Sequence, residues 1–438
     1  MTDNTEPART SWLATFKVYV EPASLRMLAL GFSAGLPLLL VLGTLSFRLR
    51  EAGIDRSTVG FLTWVGLAYG FKWVWAPLVD RLPIPLLTRW LGRRRSWLLL
   101  AQLGIVAGLV AMALGNPQEG LLWVTVAAVV VAFSSATQDI ALDAFRIESA
   151  EAERQAALAA SYQTGYRLAM IWAGAGVLWL AAWAQGVAIG YSNYAWMMAY
   201  LGMAASMLVG ILTVLLSPEP QSVPLAQART PREWLRTTLM EPFADFFRRY
   251  RWQAVLILAL IGVYRISDIV MGIMANPFYV DMQYTKEEVA TVTKVFGVIM
   301  TLVGAYIGGV LSMRFGVMRI LILGAVLSAI SNLLFAWLAG HGHDVNALIM
   351  VVSADNLSGG IASAAFIAYL SSLTNIQYSA TQYALFSSLM LLLPKAVGGG
   401  AGVFVDTYGY VNFFTATAAM GVPVIILVLI ASRVLKTK

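Results

Sequence analysis

Cysteine is absent from this sequence, so no disulfide and no thiolate metal site can form. Histidine is almost absent: His341 and His343 are the only two, and they share one short turn. Two imidazoles fall short of a metal site without help from Asp344, so we expect them to be solvated, with no metal and no cofactor bound. Charge is sparse, at 12% of the 438 residues, where soluble domains carry about 25%. No Gly-x-x-x-x-Gly-Lys run occurs to cradle a nucleotide phosphate, which argues against an ATP-driven pump subunit. No nucleophile stands beside an acid–base pair, which argues against an enzyme. No cleavable signal is expected either: Met1 to Leu25 carries scattered charges and no small-residue cleavage site.

What is abundant is apolar side chain. It fills 59% of the positions, above the roughly 45–50% of soluble domains, and the excess must face lipid. A membrane helix needs about 20 mostly apolar residues to cross about 30 Å. Twelve such runs are predicted, at 26–48, 57–79, 96–114, 121–145, 156–182, 194–216, 253–275, 290–313, 318–339, 346–371, 380–405 and 410–432. Backbone amides in lipid have no water partner, so each run must be helical. The expected fold is therefore an all-α integral membrane protein with 12 transmembrane helices in two six-helix halves.

With an even number of spans both termini share one side. Of the 30 Lys and Arg residues, the loops on that side hold most and the opposite loops hold few. The positive-inside rule then places both termini in the cytoplasm. The net charge of +7 has the same origin. It does not point to nucleic acid, since no soluble basic domain exists to hold a duplex.

The chain divides near Ser217-Pro218-Glu219-Pro220, followed by Pro224 and Pro231. We expect a cytoplasmic N-terminal segment at 1–25, a first half at 26–216, a linker at 217–252, a second half at 253–432 and a tail at 433–438. In the linker, Thr230-Pro231-Arg232-Glu233 has the form of a capping box. Trp234, Leu235, Leu239, Phe243 and Phe246 then recur on one side, as in a helix lying on the inner leaflet or packed on the bundle ends. Ile140-Ala141-Leu142-Asp143-Ala144-Phe145 and Ile361-Ala362-Ser363-Ala364-Ala365-Phe366 agree at four of six places, a trace of parallel duplication.

The hairpin Asp80-Arg81 to Gly92-Arg93-Arg94-Arg95 resembles the signature between helices two and three of the major facilitator superfamily. Longer blocks are similar to the AmpG muropeptide permeases: Phe71 to Arg81, Ser135-Ala136-Thr137-Gln138-Asp139-Ile140, Gly165-Tyr166-Arg167-Leu168-Ala169-Met170, Asn356-Leu357-Ser358-Gly359-Gly360 and Ala380-Thr381-Gln382-Tyr383-Ala384-Leu385. They occur in both halves and in the family's order. Two departures stand out: Asp355 where the family often has Glu, and Arg265-Ile266-Ser267-Asp268 where it often has Lys-Leu-Gly-Asp. The resemblance implies a bacterial inner-membrane secondary transporter. It would import anhydro-muropeptides, disaccharides of N-acetylglucosamine and anhydro-N-acetylmuramic acid bearing a short peptide. The import would be coupled to protons and would feed peptidoglycan recycling and, in some bacteria, β-lactamase induction. Related subfamilies carry siderophores or acetyl-coenzyme A, which keeps another anionic solute as an alternative. A transporter-like sensor is the other alternative, although sensors generally add a soluble output domain.

A charge at the bilayer centre costs at least about 2.5–3.5 kcal/mol, so buried charges are the candidate machinery. The intramembrane cations are Lys72, Arg167, Arg265 and Lys395; the deep carboxylates are Asp139, Asp268 and Asp355. The excess cation suits an anionic, amphipathic ligand. We expect Arg167, Arg265 and Lys395 to meet ligand carboxylates. Tyr166, Tyr264, Gln138, Asn356 and Gln382 would meet its hydroxyls and amides. Arg265 and Asp268, three apart, could instead neutralise one another. No histidine lies within a span, so proton coupling would fall to Asp268, Asp139 or Asp355. Asp80, Arg81, Arg93, Asp143 and Arg146 are expected to form a cytoplasmic gate. The expected partners are the ligand, protons and membrane lipids, and the expected state is a monomer.

Overall fold

Among the described residues the apolar runs fold as helices. A computed structural model describes residues 17–54, 58, 63–187, 190–221, 230–285, 288–289 and 291–435. The expected start of the second span, Pro224 and the outer parts of both terminal segments lie outside these residues. Ten helices among the described residues are long and apolar enough to cross a membrane. We number the helices by crossing: α1 Pro22–Glu51, α2 Ala76–Arg81, α3 Arg93–Leu114, α4 Leu121–Glu148, α5 Ala152–Gln185, α6 Asn193–Leu216, α7 Gln253–Asp281, α8 Thr291–Phe315, α9 Val317–His341, α10 Val345–Leu373, α11 Ser379–Gly398 and α12 Ala401–Val434. No strand is present among the described residues.

The second and eleventh expected spans are not continuous helices of that kind. The second is broken into short pieces, Thr63–Gly66, Leu67–Phe71, Lys72–Val74 and α2, with tight 3₁₀ turns between α-helical stretches. The eleventh opens with Ser379, Thr381 and Gln382 and closes on Pro394 and Lys395, so it is only weakly apolar. Within α12 the chain leaves helical geometry at Gly409, with φ 77°. Residues 401–408 precede this break, and the expected twelfth span, 410–432, follows it.

Alternation puts the starts of α1, α3, α5 and α11, and the ends of α2, α4, α10 and α12, at one end of the bundle, here the terminal end. The other end is the far end. Two apolar cores fill the first half, one around Leu109 and Tyr200, the other around Leu98 and Phe145. Two fill the second, around Leu321 and Phe366 and around Phe278 and Phe335. Helices α1 and α5 touch backbone to backbone: a Cβ on Gly165 would lie 1.9 Å from the Leu28 carbonyl oxygen. Small residues permit such approach in lipid, where packing rather than water drives association. Across the seam, α5 packs on α8 and α10, and α11 packs on α4 and α2. Ala380 and Ala384 of α11 are buried with Ala76, Ile140 and Leu142 of the first half.

The linker helix, Glu241–Tyr250, follows Pro231–Leu235, which Thr230 caps by accepting from the Glu233 amide at 3.1 Å. It buries Phe246 against Phe386 of α11 and leaves Leu235, Met240, Phe247 and Trp252 exposed.

Candidate functional site

Two sites emerge, a sealed seam at the terminal end and a polar cavity deeper in the bundle. The seam is built on Asp80, which is 1% exposed. Its carboxylate accepts from the main-chain amides of Ala380 at 3.1 Å and Thr381 at 2.8 Å, and from the Thr381 hydroxyl at 2.6 Å. These amides open α11, where unpaired N–H groups and the helix dipole favour an anion. Arg94 donates to Asp80 at 2.7 Å, to Glu148 at 2.6 Å and to Ser379 at 2.8 Å. Glu148 also accepts from Ser379 at 2.5 Å. Arg93 donates to the main-chain oxygen of Asp80 at 2.7 Å. Beside this cluster Arg146 donates to Ser371 of α10 at 2.9 Å and lies 5.1 Å from the ring centre of Tyr383.

This differs from the expected gate in its partners. Arg81 makes no ion pair with Asp80 or Asp143. Among the described residues Asp143 pairs with Arg146 of its own helix alone, at 3.5 Å. Arg94 and Glu148, which the sequence reading did not single out, carry the charge pairing instead. Asp80 and Arg81 are consecutive in α2 and so do not face each other, and the hairpin, which includes Leu86 at φ 68°, brings Arg94 to Asp80 instead. Glu219, just past α6, holds the hairpin from behind. Its carboxylate accepts from the amides of Arg94 at 2.8 Å and Arg95 at 3.1 Å, capping α3 where Gly92 has no side chain to do so. Burial pushes the Glu219 carboxyl above the ordinary glutamate range, against the pull of those two amides.

The cavity, about 320 Å³, lies between α5, α7, α8 and α10. Arg167, Arg265, Asp268, Asp355 and Asn356 line it. Arg265 sits where α7 breaks: the helix stops at Val263, and a second helical stretch starts at Ile266. From that break it pairs with Asp268 at 3.0 Å and donates to Ser363 at 2.5 Å. Asp355 accepts from Ser331 at 3.0 Å. Arg167, from the first half, has no hydrogen-bond or ion-pair partner among the described residues. Asn356 is already engaged, accepting from Thr301 at 2.8 Å and donating to Val352 at 2.8 Å.

The remaining candidates lie elsewhere. Tyr264 is buried, donates to the Leu321 carbonyl at 3.1 Å and stacks on Phe366, because the chain turns away from the cavity just before the break. Gln138 donates to Ser33 at 3.2 Å in a buried trio with Gln102. Tyr166 packs near Tyr162. Gln382 is at the terminal end, accepting from Arg249 and donating to Asp245 and the Pro242 carbonyl of the linker helix. Asp139 is 3.9 Å from Lys72. Lys395 is exposed and does not line the cavity. Gln163 and Asn276 do line it and were missed; Gln163 stands one turn before Arg167, which is the signal that could have found it. At the far end His343 meets Glu288 at 3.1 Å and packs against the tilted ring of Tyr284, while His341 stacks on Trp337.

The fold matches solved transporters over nearly its whole length. The fucose transporter FucP in the outward conformation gives a TM-score of 0.69 at 15% identity, covering 94% of this chain and 99% of that one. The human organic anion transporter MFSD10 gives 0.60 at 14% identity, covering 97% and 100%. The chain has the major facilitator fold. Sequence relatives narrow it further. The anhydromuropeptide permease of Escherichia coli K12 is 36% identical over 423 residues, 96% of this chain and 82% of that protein. Putative transporter AmpG 4 of Rickettsia conorii is 32% identical over 414 residues, 94% and 97%. Residues 25–126 also match the family of acetyl-coenzyme A transporter 1. The chain belongs to the AmpG family of anhydromuropeptide permeases.

Proposed function

We propose that the protein imports anhydro-muropeptides across the bacterial inner membrane by alternating access, as a monomer, with both termini cytoplasmic. The observation that carries this is Arg167, a cation inside the bundle with no hydrogen-bond or ion-pair partner among the described residues, facing the same cavity as Arg265 from the opposite half. A guanidinium held free at that depth is ready for a ligand carboxylate, which it binds in a two-pronged, charge-assisted way. The relatives' names make a peptide-bearing muropeptide the carboxylate donor. In this reading the halves are 26–216 and 253–432, joined by the linker at 217–252, whose exposed apolar side chains meet membrane lipid.

The Asp80–Arg94–Glu148 cluster, with Arg93 and Arg146 beside it, closes the cytoplasmic end while the cavity serves the periplasm. A ligand carboxylate that draws Arg265 off leaves Asp268 to take up the coupling proton. Asp139 and Asp355 are the next candidates for that role. Uptake of labelled anhydro-muropeptide into proteoliposomes under an imposed pH gradient tests the proposal. Accumulation that collapses with the gradient supports it, and no uptake in either condition overturns it. The match of residues 25–126 to an acetyl-coenzyme A transporter family favours a second reading, in which the anion is an acyl-coenzyme A. Competition by acetyl-coenzyme A in the same vesicles separates the two.

A further inference from the structure

Glycine in a membrane helix usually lets another helix approach. Gly304 and Gly360 do so here: a Cβ on either would lie 2.2 or 2.3 Å from the carbonyl oxygen of a facing helix. Gly272 of α7 and Gly359 of α10 do not. A Cβ on either would meet nothing within 4 Å, and both line the cavity. A helix interior carries glycine at a cost of about 0.5–1 kcal/mol relative to alanine, and no packing contact explains that cost at these two positions. What each missing side chain leaves is open space on the cavity wall.

The walls around that space carry unspent amides. Gln163, one turn before Arg167 on α5, and Asn276, one turn after Gly272 on α7, have no hydrogen-bond partner among the described residues. Each carboxamide offers both a donor and an acceptor, the complement of another amide. Asn356, by contrast, has its amide engaged by Thr301 and Val352. At about 320 Å³ the cavity is at the low end of ligand pockets, which run about 300–1,000 Å³. It encloses one unit of a large ligand rather than all of it.

We infer that Gly272 and Gly359 form the bare floor of a subsite for an acetamido-bearing pyranose, whose amide is bound by Gln163 and Asn276 beside the Arg167 carboxylate site. The subsite rests on the muropeptide reading and assigns specificity within it. A ring lies flat where no Cβ projects, and the N–H and C=O of an N-acetyl group, which point in opposite directions, can each meet one of the two side-chain amides.

The test is binding to the purified full-length protein of two ligands, GlcNAc-anhydroMurNAc-tripeptide and the same compound with the glucosamine nitrogen deacetylated. Gly359→Leu and Gly272→Leu replace a poor helix former by a good one, so they should melt no lower than wild type. They should nevertheless lose binding of both ligands by more than about 10-fold, since more than one ligand contact of about 0.5–1.5 kcal/mol is blocked. Gln163→Leu and Asn276→Leu should weaken the acetylated ligand about 3- to 10-fold and leave the deacetylated one unchanged. Equal losses for both ligands in the amide variants, or unaltered binding in the leucine-for-glycine variants, would overturn the subsite. If a leucine variant fails to fold, Gly359→Ala serves in its place, with the same direction expected. Wild-type protein that binds neither ligand overturns the muropeptide reading itself, and the subsite with it.

Discussion

Replacing Asp80 by asparagine removes one charge from the closed seam while keeping its shape. The aspartate accepts four hydrogen bonds, from Ala380 and Thr381 amides, the Thr381 hydroxyl and Arg94. Asparagine keeps one acceptor oxygen and turns an N–H₂ group toward donors. Two charge-assisted bonds are lost, each worth about 1.5–3 kcal/mol net. Glu148 still holds Arg94, which limits the loss to about 3 kcal/mol, the lower bound of that sum. Only the form closed at the terminal end makes these bonds, so the balance should shift toward opening there by on the order of 100-fold. The chain has no cysteine, so single reporters can be placed without a background to remove. Ala384→Cys is buried in the seam one turn beyond Thr381, and Thr293→Cys lines the cavity. In Asp80→Asn the first should label faster with a membrane-permeant maleimide and the second more slowly. Unchanged labelling at both positions would refute the reasoning, because it would mean the four bonds do not hold the seam.

Four further outcomes are expected. Arg167→Ala should weaken muropeptide binding by at least about 10-fold, the cost of one charged hydrogen bond, and Arg167→Lys should recover only part, as read by titration of the purified protein. Asp268→Asn should exchange substrate across vesicles yet fail to accumulate it under a pH gradient; normal accumulation moves the coupling role to Asp139 or Asp355. Glu219→Ala should cost about 1 kcal/mol of stability through loss of the α3 cap and increase labelling of the Ala384→Cys reporter, whereas a normal melting temperature would show the cap to be idle. Gly165→Val should prevent the α1–α5 contact, since a Cβ there falls 1.9 Å from Leu28 oxygen, and lower the melting temperature far more than Gly359→Leu does.

The crossings were legible because lipid demands uninterrupted apolar runs, and a run is a property of neighbours in sequence. The two that failed this test failed locally: α11 carries Gln382, Pro394 and Lys395, and the second span turns tightly around Lys72. Pairings were harder to read. Three arginines follow Gly92, and which of them faces Asp80 depends on the backbone of a hairpin that contains a left-handed Leu86. The break in α7 has no proline to announce it, so Tyr264 and Arg265, adjacent in sequence, point to a core and to a cavity. Arg48 closes the first expected span, 26–48. It is fully buried, donating to the carbonyls of Met112 at 2.7 Å and Gly115 at 2.6 Å, the free acceptors at the end of α3. A carbonyl partner has no letter in the sequence.

The same holds for the receiver of Asp80, and it bears on how this family can vary. Two of the four donors are main-chain amides, at Ala380 and Thr381. Every residue except proline supplies such a group. Those two amide bonds therefore survive any substitution but proline, whereas the Thr381 hydroxyl bond and the buried fit of Ala380 do depend on the side chain. The carboxylate opposite has no such latitude. The gate is thus fastened half by side chains, which a substitution can remove, and half by backbone, which it cannot, so loss of the Thr381 hydroxyl alone should loosen the seam without opening it.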